Sequence, residues 1–422
     1  MAIKLAMIKN YGLTFKNFFL NSFFRITGYL SRFFLFILLL RHLNLEDFGQ
    51  YGLITVSVII LYQIFGLEYH NYYSRLLAKK EVRYWGKIII NTLIVSFFSF
   101  FIFFVLLLIF YNYIKTSFNF IFIIFFIIVI EYLLTELIRL YYINGNTQKY
   151  NFFDFLKKIS LPFIILFQVL MGVELNLELI LYDWIVGLIL ISFFLIISLR
   201  NLKIIFKKKY FKADKNFIYL GLKISFIYLI SLIFQNTIFV IDRYIVKFYF
   251  DTNFLAAYIF FISIAIMPYN FIQGLIFSKY FKNMVNISNE KIEFLKESLR
   301  ILLKVFITLI VFNLLIILLI EEIVKLTNKN ELLEYTTFLN YILIIGSLFS
   351  LKKTFDFILH ATNYDKLILI SNVILTLTFI TILIIFKDNF FEKTFLYSLI
   401  IAFILAILFN IFNLIRYKLI RK

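Results

Sequence analysis

Residues 17–41 read NFFLNSFFRITGYLSRFFLFILLLR. A helix rises about 1.5 Å per residue, so roughly 20 apolar residues cross a hydrocarbon core of about 30 Å. This stretch is long enough, and only Arg25 and Arg32 interrupt it before Arg41. Lys4, Lys9 and Lys16 precede it, as basic residues precede a signal peptide, but the apolar run continues past Leu40 with no small-residue cleavage site. It reads as a retained first transmembrane helix.

Segments of the same kind recur along the chain. Helices are expected at about 17–41, 49–70, 87–111, 118–142, 151–172, 179–199, 216–240, 252–277, 299–320, 336–360, 366–386 and 394–416. No gap between them has room for a further globular domain. The expected fold class is therefore all-α: a polytopic membrane protein of about 12 transmembrane helices. Composition agrees, with 63% of the 422 residues hydrophobic and 16% charged, against about half and about a quarter in soluble domains. There is no cysteine, so disulfides and thiolate metal sites are excluded.

The net charge of +19 would suggest nucleic acid in a soluble protein. Here its distribution follows the positive-inside rule. With twelve spans and a cytoplasmic N-terminus, 30 of the 43 basic residues fall on the cytoplasmic side, 8 on the other and 5 inside spans. That split puts both termini in the cytoplasm and accounts for most of the charge without nucleic acid. The run Lys207-Lys208-Lys209 reads as a topology anchor near anionic lipid.

Weak internal repeats divide the chain. Gly145-Asn146-Thr147-Gln148-Lys149 and Thr362-Asn363-Tyr364-Asp365-Lys366 share an x-Asn-x-x-Lys pattern after the fourth and tenth helices, and Gly49-Gln50-Tyr51 corresponds to Ala256-Ala257-Tyr258. Glu136 and Arg139 fall on Lys353 and Asp356 with signs swapped. These offsets predict two pseudo-symmetric six-helix bundles, residues 1–212 and 213–422. Transporters built from such repeats bind substrate between the halves, around a central cavity.

Ionisable residues inside spans are costly and are the best functional clues. Ser22, Arg25, Gly28 and Arg32 form one stripe of the first helix. Two arginines flanking a glycine would let a bulky anion approach, and the guanidinium fork suits phosphate. The alternative is that Arg25 snorkels to the interface and Arg32 pairs with a buried acid. The seventh helix carries Tyr228, Ser231, Gln235 and Asp242 on one face, with Asn236 adjacent and Asp242-Arg243 closing the helix at the outer interface. Cavity lining and plain interhelical hydrogen bonding both fit that set. Lys223, in the first turn, either snorkels or faces a cavity. Glu131, Glu136 and Arg139, and Lys352, Lys353, Asp356 and His360, are expected to satisfy one another at helical spacings of three and four. Glu68 and Asp242 are the candidate acids for a coupling Na+ or H+.

Several activities lack their motifs. There is no Gly-x-x-x-x-Gly-Lys-Ser/Thr phosphate loop, and His42, His70 and His360 have no ligand spacing. No metal, cofactor or enzymatic activity is expected. The loops are too short for a membrane-bound glycan polymerase.

Four segments resemble the polysaccharide-transporter branch of the multidrug/oligosaccharidyl-lipid/polysaccharide exporter superfamily, above all its Wzx-type O-antigen flippases. Leu45-Glu46-Asp47-Phe48-Gly49-Gln50-Tyr51-Gly52 is similar to the Gly-Pro-Glu-x-x-Gly-x-Tyr opening of the second helix, without its proline. Phe65-Gly66-Leu67-Glu68 to Arg75 is similar to the end of that helix, and Asn144-Gly145-Asn146 to Lys149 to the turn after the fourth. Ile241-Asp242-Arg243-Tyr244-Ile245, followed by Ala257-Tyr258, is similar to the Asp-Arg motif and the tyrosine of the eighth helix.

The resemblance implies alternating access and a cargo of oligosaccharide on undecaprenyl pyrophosphate. It places the chain in the bacterial cytoplasmic (inner) membrane, in lipopolysaccharide or capsule biosynthesis beside a polysaccharide polymerase and glycosyltransferases. It also implies that basic residues neutralise the pyrophosphate, here Arg25, Arg32 and Arg243. With no ATPase motif, the energy would come from an ion gradient or from downhill polymerisation. The rivals are a lipid II flippase and a cation-coupled drug antiporter, and the latter usually carries acids rather than arginines at the heart of its cavity.

Overall fold

A computed structural model describes residues 2–70, 72–73, 85–110, 118–143, 146–199, 213–288, 290–362, 364–386 and 391–420. Lys207-Lys208-Lys209, and the motif positions Asn144, Gly145, Arg75 and Asn363, lie outside the described residues. No strand occurs among those described.

The helices are α1 (Ala2–His42), α2 (Leu45–Phe65), α3 (Trp85–Phe110), α4 (Phe118–Ile143), α5 (Thr147–Leu170), α6 (Leu177–Leu199), α7 (Lys215–Tyr249) and α8 (Thr252–Ala265). The α8 run continues through Met267–Phe271, a π-helical turn Ile272–Phe277 and Ser278–Asn286. Then come α9 (Lys291–Leu326), a 3-10 segment Asn330–Phe338, α10 (Leu339–Ala361), α11 (Asp365–Ile385) and α12 (Glu392–Ile420). Ten of these helices, among the described residues, are long and apolar enough to cross a membrane. Helices α5 and α10 have crossing length, but each carries three charges within two turns of helix: Asp154, Lys157 and Lys158, and Lys352, Lys353 and Asp356. Large apolar side chains stand exposed along many of the others, such as Phe97, Phe101, Phe193 and Leu318. Contiguous exposed apolar surface on this scale would drive aggregation in water and is what lipid requires. The chain is a multi-pass membrane protein.

Several boundaries differ from the sequence reading. Helix α1 begins at Ala2 rather than near residue 17. Helix α2 starts early, because the Asn44 side chain caps it by accepting from Asp47 N at 2.7 Å. It ends at Phe65 rather than near residue 70, because Leu67 and Glu68 take positive φ values of 51° and 49°. Helix α7 runs to Tyr249 instead of closing at Asp242-Arg243. Those two residues are buried rather than at a water interface, for reasons given below.

The chain forms two compact units. One comprises Met1–Leu38 and Ile54–Leu229, the other Leu39–Leu53 and Ile230–Lys422. One core of the first gathers Tyr69, Tyr73, Trp85, Ile88, Val95 and Leu140. In the second, every residue of Phe254–Ile262 is buried, which marks α8 as a central helix, apolar on all sides. Helix α10 approaches it at Gly346, where a Cβ would stand 2.3 Å from the Ala265 carbonyl oxygen. Only glycine permits that backbone contact, as small residues do between membrane helices.

Candidate functional site

In the first unit, the α1 stripe packs on α5. Gly28 is buried, and a Cβ there would lie 3.1 Å from Lys158 Cδ. One turn earlier, half-buried Arg25 donates from Nε to Asn151 Oδ1 at 3.0 Å. Asn151 is itself buried and donates from Nδ2 to Asn21 Oδ1 at 2.8 Å. One residue beyond the glycine, the Tyr29 ring lies 4.0 Å under Lys158 Nζ, a cation–π distance. Lys158 Nζ also pairs with Asp154 at 2.6 Å. Arg32 is exposed and within electrostatic reach of Asp154. The stripe is therefore split. Arg25 and Gly28 face α5, while Arg32 keeps its guanidinium accessible.

Next to this cluster lies a second charged layer. Lys157 pairs with Glu131 and donates to Thr135 Oγ1 at 2.7 Å, while Trp184 Nε1 donates to Glu131 Oε1 at 3.1 Å. Arg139 holds Glu136 at 2.5 Å, and Tyr73 bonds the same carboxylate. The expected Glu136–Arg139 pair is present, but Glu131 finds its cation on α5. Glu68 is buried in the turn after α2, with His70 Nε2 at 3.7 Å from its Oε2. Burial, helped by the Arg139 charge, holds the His70 imidazole well below its ordinary pKa. Lys223, near the start of α7, is exposed.

In the second unit, the Tyr258 hydroxyl donates to Asp242 Oδ2 at 2.6 Å, and Arg243 N donates to Asp242 Oδ1 at 2.6 Å. The Arg243 Nη1 donates to the Gly52 carbonyl at 3.3 Å. All three side chains are buried. Gly52 also abuts Ile259, where a Cβ would fall 2.5 Å from Cγ2. The Asp-Arg motif, the tyrosine and Gly52 thus form one clamp that joins the first half of α2 to α7 and α8. Asn236 is half-buried on α7; Gln235 lies on the same helix, and its side chain is outside the described set.

Helix α10 carries the other buried charges. Lys352 pairs with Asp356 at 2.7 Å and also bonds Asn372, while Asn410 Nδ2 donates to Asp356 Oδ1 at 3.3 Å. Lys353 instead sits over the Phe349 ring at 5.5 Å, and His360 Nδ1 meets Asp365 at 2.6 Å. No metal-ligating cluster of His, Asp and Glu exists among the described residues.

Arg25, Arg32, Glu68 and Lys223 thus belong to the first unit, and Gln235, Asn236, Asp242 and Arg243 to the second. The sequence reading missed Asn151 as the partner of Arg25, and Asn21, Tyr29, Asp154 and Lys158 as members of the surrounding α1–α5 cluster. The Asp154/Lys158 spacing of four was a local signal for an ion pair. Nothing local links Asn151 to a residue 126 positions away.

No known family profile matches the chain, and no curated protein does. Solved structures do. A multidrug resistance MATE family transporter of the MOP superfamily, inward-facing, aligns at TM-score 0.75 with 12% identity over 94% of this chain and 96% of that one. The lipid II flippase MurJ, in an inward closed conformation, aligns at TM-score 0.67 with 17% identity over 96% and 89%. An outward-facing MATE family transporter aligns at TM-score 0.62 with 13% identity over 96% of each chain. At such identities the likeness is one of fold.

Proposed function

We propose that this chain is a flippase that moves undecaprenyl-pyrophosphate-linked oligosaccharide repeat units across the bacterial cytoplasmic membrane by alternating access, for O-antigen- or capsule-type polysaccharide. Its termini are cytoplasmic and its two halves hold six helices each. Support comes from the fold shared with MATE transporters and the MurJ lipid II flippase, from the four motif segments, and from the 30 to 8 charge split.

The observation that carries the reading is the α1 arginine pair. Arg25 is held by neutral Asn151, and Arg32, seven residues on, is accessible. Seven residues at about 1.5 Å put the two about 10 Å apart along the helix, a strip that a pyrophosphate and its first sugar could span. A pyrophosphate cannot cross hydrocarbon unaided, because burying unpaired charge is too costly. Guanidinium groups in a hydrated path lower that cost while the prenyl tail stays in lipid. Lys223, Gln235 and Asn236 are secondary candidates for cargo contact. The burial of Asp242 and Arg243 supports a structural role for that pair, which leaves Glu68 as the favoured acid of the two for ion coupling.

Deletion of the gene, followed by analysis of surface glycan and lipid-linked intermediates, tests the reading. Loss of surface glycan with intermediates retained in the inner leaflet is expected. Lost peptidoglycan precursor transport would instead favour lipid II as cargo. Unchanged glycan with altered drug sensitivity would favour a cation-coupled antiporter.

A further inference from the structure

Helices α5 and α6 form a hairpin through residues 171–176. Near its turn, Gln168 Nε2 donates to Asp183 Oδ1 at 2.9 Å, and Asp183 is only 6% exposed. The other two oxygens of the pair, Asp183 Oδ2 and Gln168 Oε1, are both shut off from solvent, and neither has a hydrogen-bond partner among the described residues. Buried acceptors are nearly always satisfied, so two orphans on adjoining groups require a cause.

An ionised carboxylate cannot supply one, because it only accepts. A carboxylic acid can. A primary amide and a neutral acid pair through two bonds, N–H to the acid carbonyl and O–H to the amide oxygen. The observed Nε2–Oδ1 bond is one side of that ring, and the two orphaned oxygens are the atoms the other side would join.

The charged groups on the packed helices do not oppose this. On α6, Glu178 is exposed, as is Glu174 in the turn before it. On α4, Glu131 is engaged by Lys157 and Trp184. On α5, Lys158 lies ten residues before Gln168, about 15 Å along the helix, and is paired with Asp154. Among the described residues, no cation therefore stands beside Asp183 to hold it ionised.

We propose that Asp183 is a proton-binding site, a neutral carboxylic acid whose Oδ2–H closes an acid–amide ring with Gln168 Oε1 across the α5–α6 hairpin. The proton comes from water: one O–H bond forms on Oδ2, a hydronium ion becomes water, and no other reactant takes part. A proton held there and released when the hairpin opens would supply the ion coupling that a chain without an ATPase motif requires. That use rests on the flippase reading; the protonation does not.

The test is infrared spectroscopy of the full-length protein in lipid nanodiscs at neutral pH, wild type minus Asp183→Asn. A protonated-acid carbonyl band in the difference is expected, and it shifts to higher frequency in Gln168→Leu, where the ring cannot close. Carboxylate bands in its place overturn the proposal. Thermal unfolding gives an independent readout. Asp183→Asn, whose amide can make both ring bonds, should match wild type at neutral pH, while Asp183→Ala and Gln168→Ala should unfold at lower temperature. A midpoint raised by NaCl but not by choline chloride, in wild type and not in Asp183→Asn, would assign a sodium site and overturn the proton. An acid band found alongside unchanged surface glycan in the deletion strain would sink the flippase reading and leave the proton site standing.

Discussion

The Tyr258 hydroxyl lies 2.6 Å from Asp242 Oδ2, and both groups are buried. This one bond ties α7 to α8, and through the next residue, Arg243, to Gly52 in the first half of α2. Removing the hydroxyl strips a buried carboxylate of a donor, which typically costs about 1–3 kcal/mol. Tyr258→Phe should therefore lower the thermal midpoint of the purified protein, and Asp242→Asn, which keeps an acceptor, should lower it less. Equal midpoints for Tyr258→Phe and wild type would deny the clamp.

Gly346 faces the Ala265 carbonyl so closely that a methyl group would need backbone movement. Overpacking of this kind costs about 1–3 kcal/mol. Gly346→Ala should reduce stability clearly. Gly172→Ala, in open space but at φ 73°, should cost less, roughly the 1 kcal/mol or so of a left-handed alanine. The order of the two midpoints checks the packing of α10 on α8.

Lys352 and Asp356 form a buried pair. Breaking such a pair from one side leaves an uncompensated charge and typically costs 3–5 kcal/mol, on the order measured for buried pairs generally, whereas replacing both partners with apolar residues is milder. Lys352→Met should be the less stable variant, and Lys352→Met combined with Asp356→Leu should recover part of the loss. A double variant worse than both singles would show that Asn372 and Asn410 depend on the charges.

Arg25 and Arg32 should differ in how they fail. Arg32→Ala is expected to lose transport with little loss of stability, because the side chain is exposed, and Arg32→Lys should keep part of the activity. Arg25→Ala should lose stability as well, because Asn151 is buried and would lose a partner. Normal transport by both alanine variants, measured as restored surface glycan in the deletion strain, would make the strip structural.

His70 gives a pH test. Its folded-state pKa lies below the ordinary 6.5, so the unfolded chain binds more protons near that pH and stability rises with pH. The contribution is present above about 6.5 and is lost as pH falls from there toward the depressed value. His70→Gln should flatten that part of the stability profile. An unchanged slope would mean that the imidazole does not titrate differently in the folded state.

Much of the architecture was readable from residue order. Roughly 20 apolar residues in a row have few alternatives to a spanning helix, so helix positions follow from local composition. The helix ends were less legible. Nothing in Gly66-Leu67-Glu68 announces two consecutive left-handed residues, and the run of α7 past Asp242-Arg243 depends on partners elsewhere in the chain. Arg25 and Arg32 stood out because ionisable groups inside spans are rare.

Which charges pair, and which stay accessible, was settled by contacts distant in sequence. Glu131 chose Lys157 on α5 over its own helix, and Arg25 met Asn151. Periodicity says which residues share a face, but only packing brings another helix's face against it. The same holds for Gln168 and Asp183. Fifteen residues apart on two helices, they form a pair only because the hairpin folds back, which also shuts their two remaining oxygens off from bulk solvent.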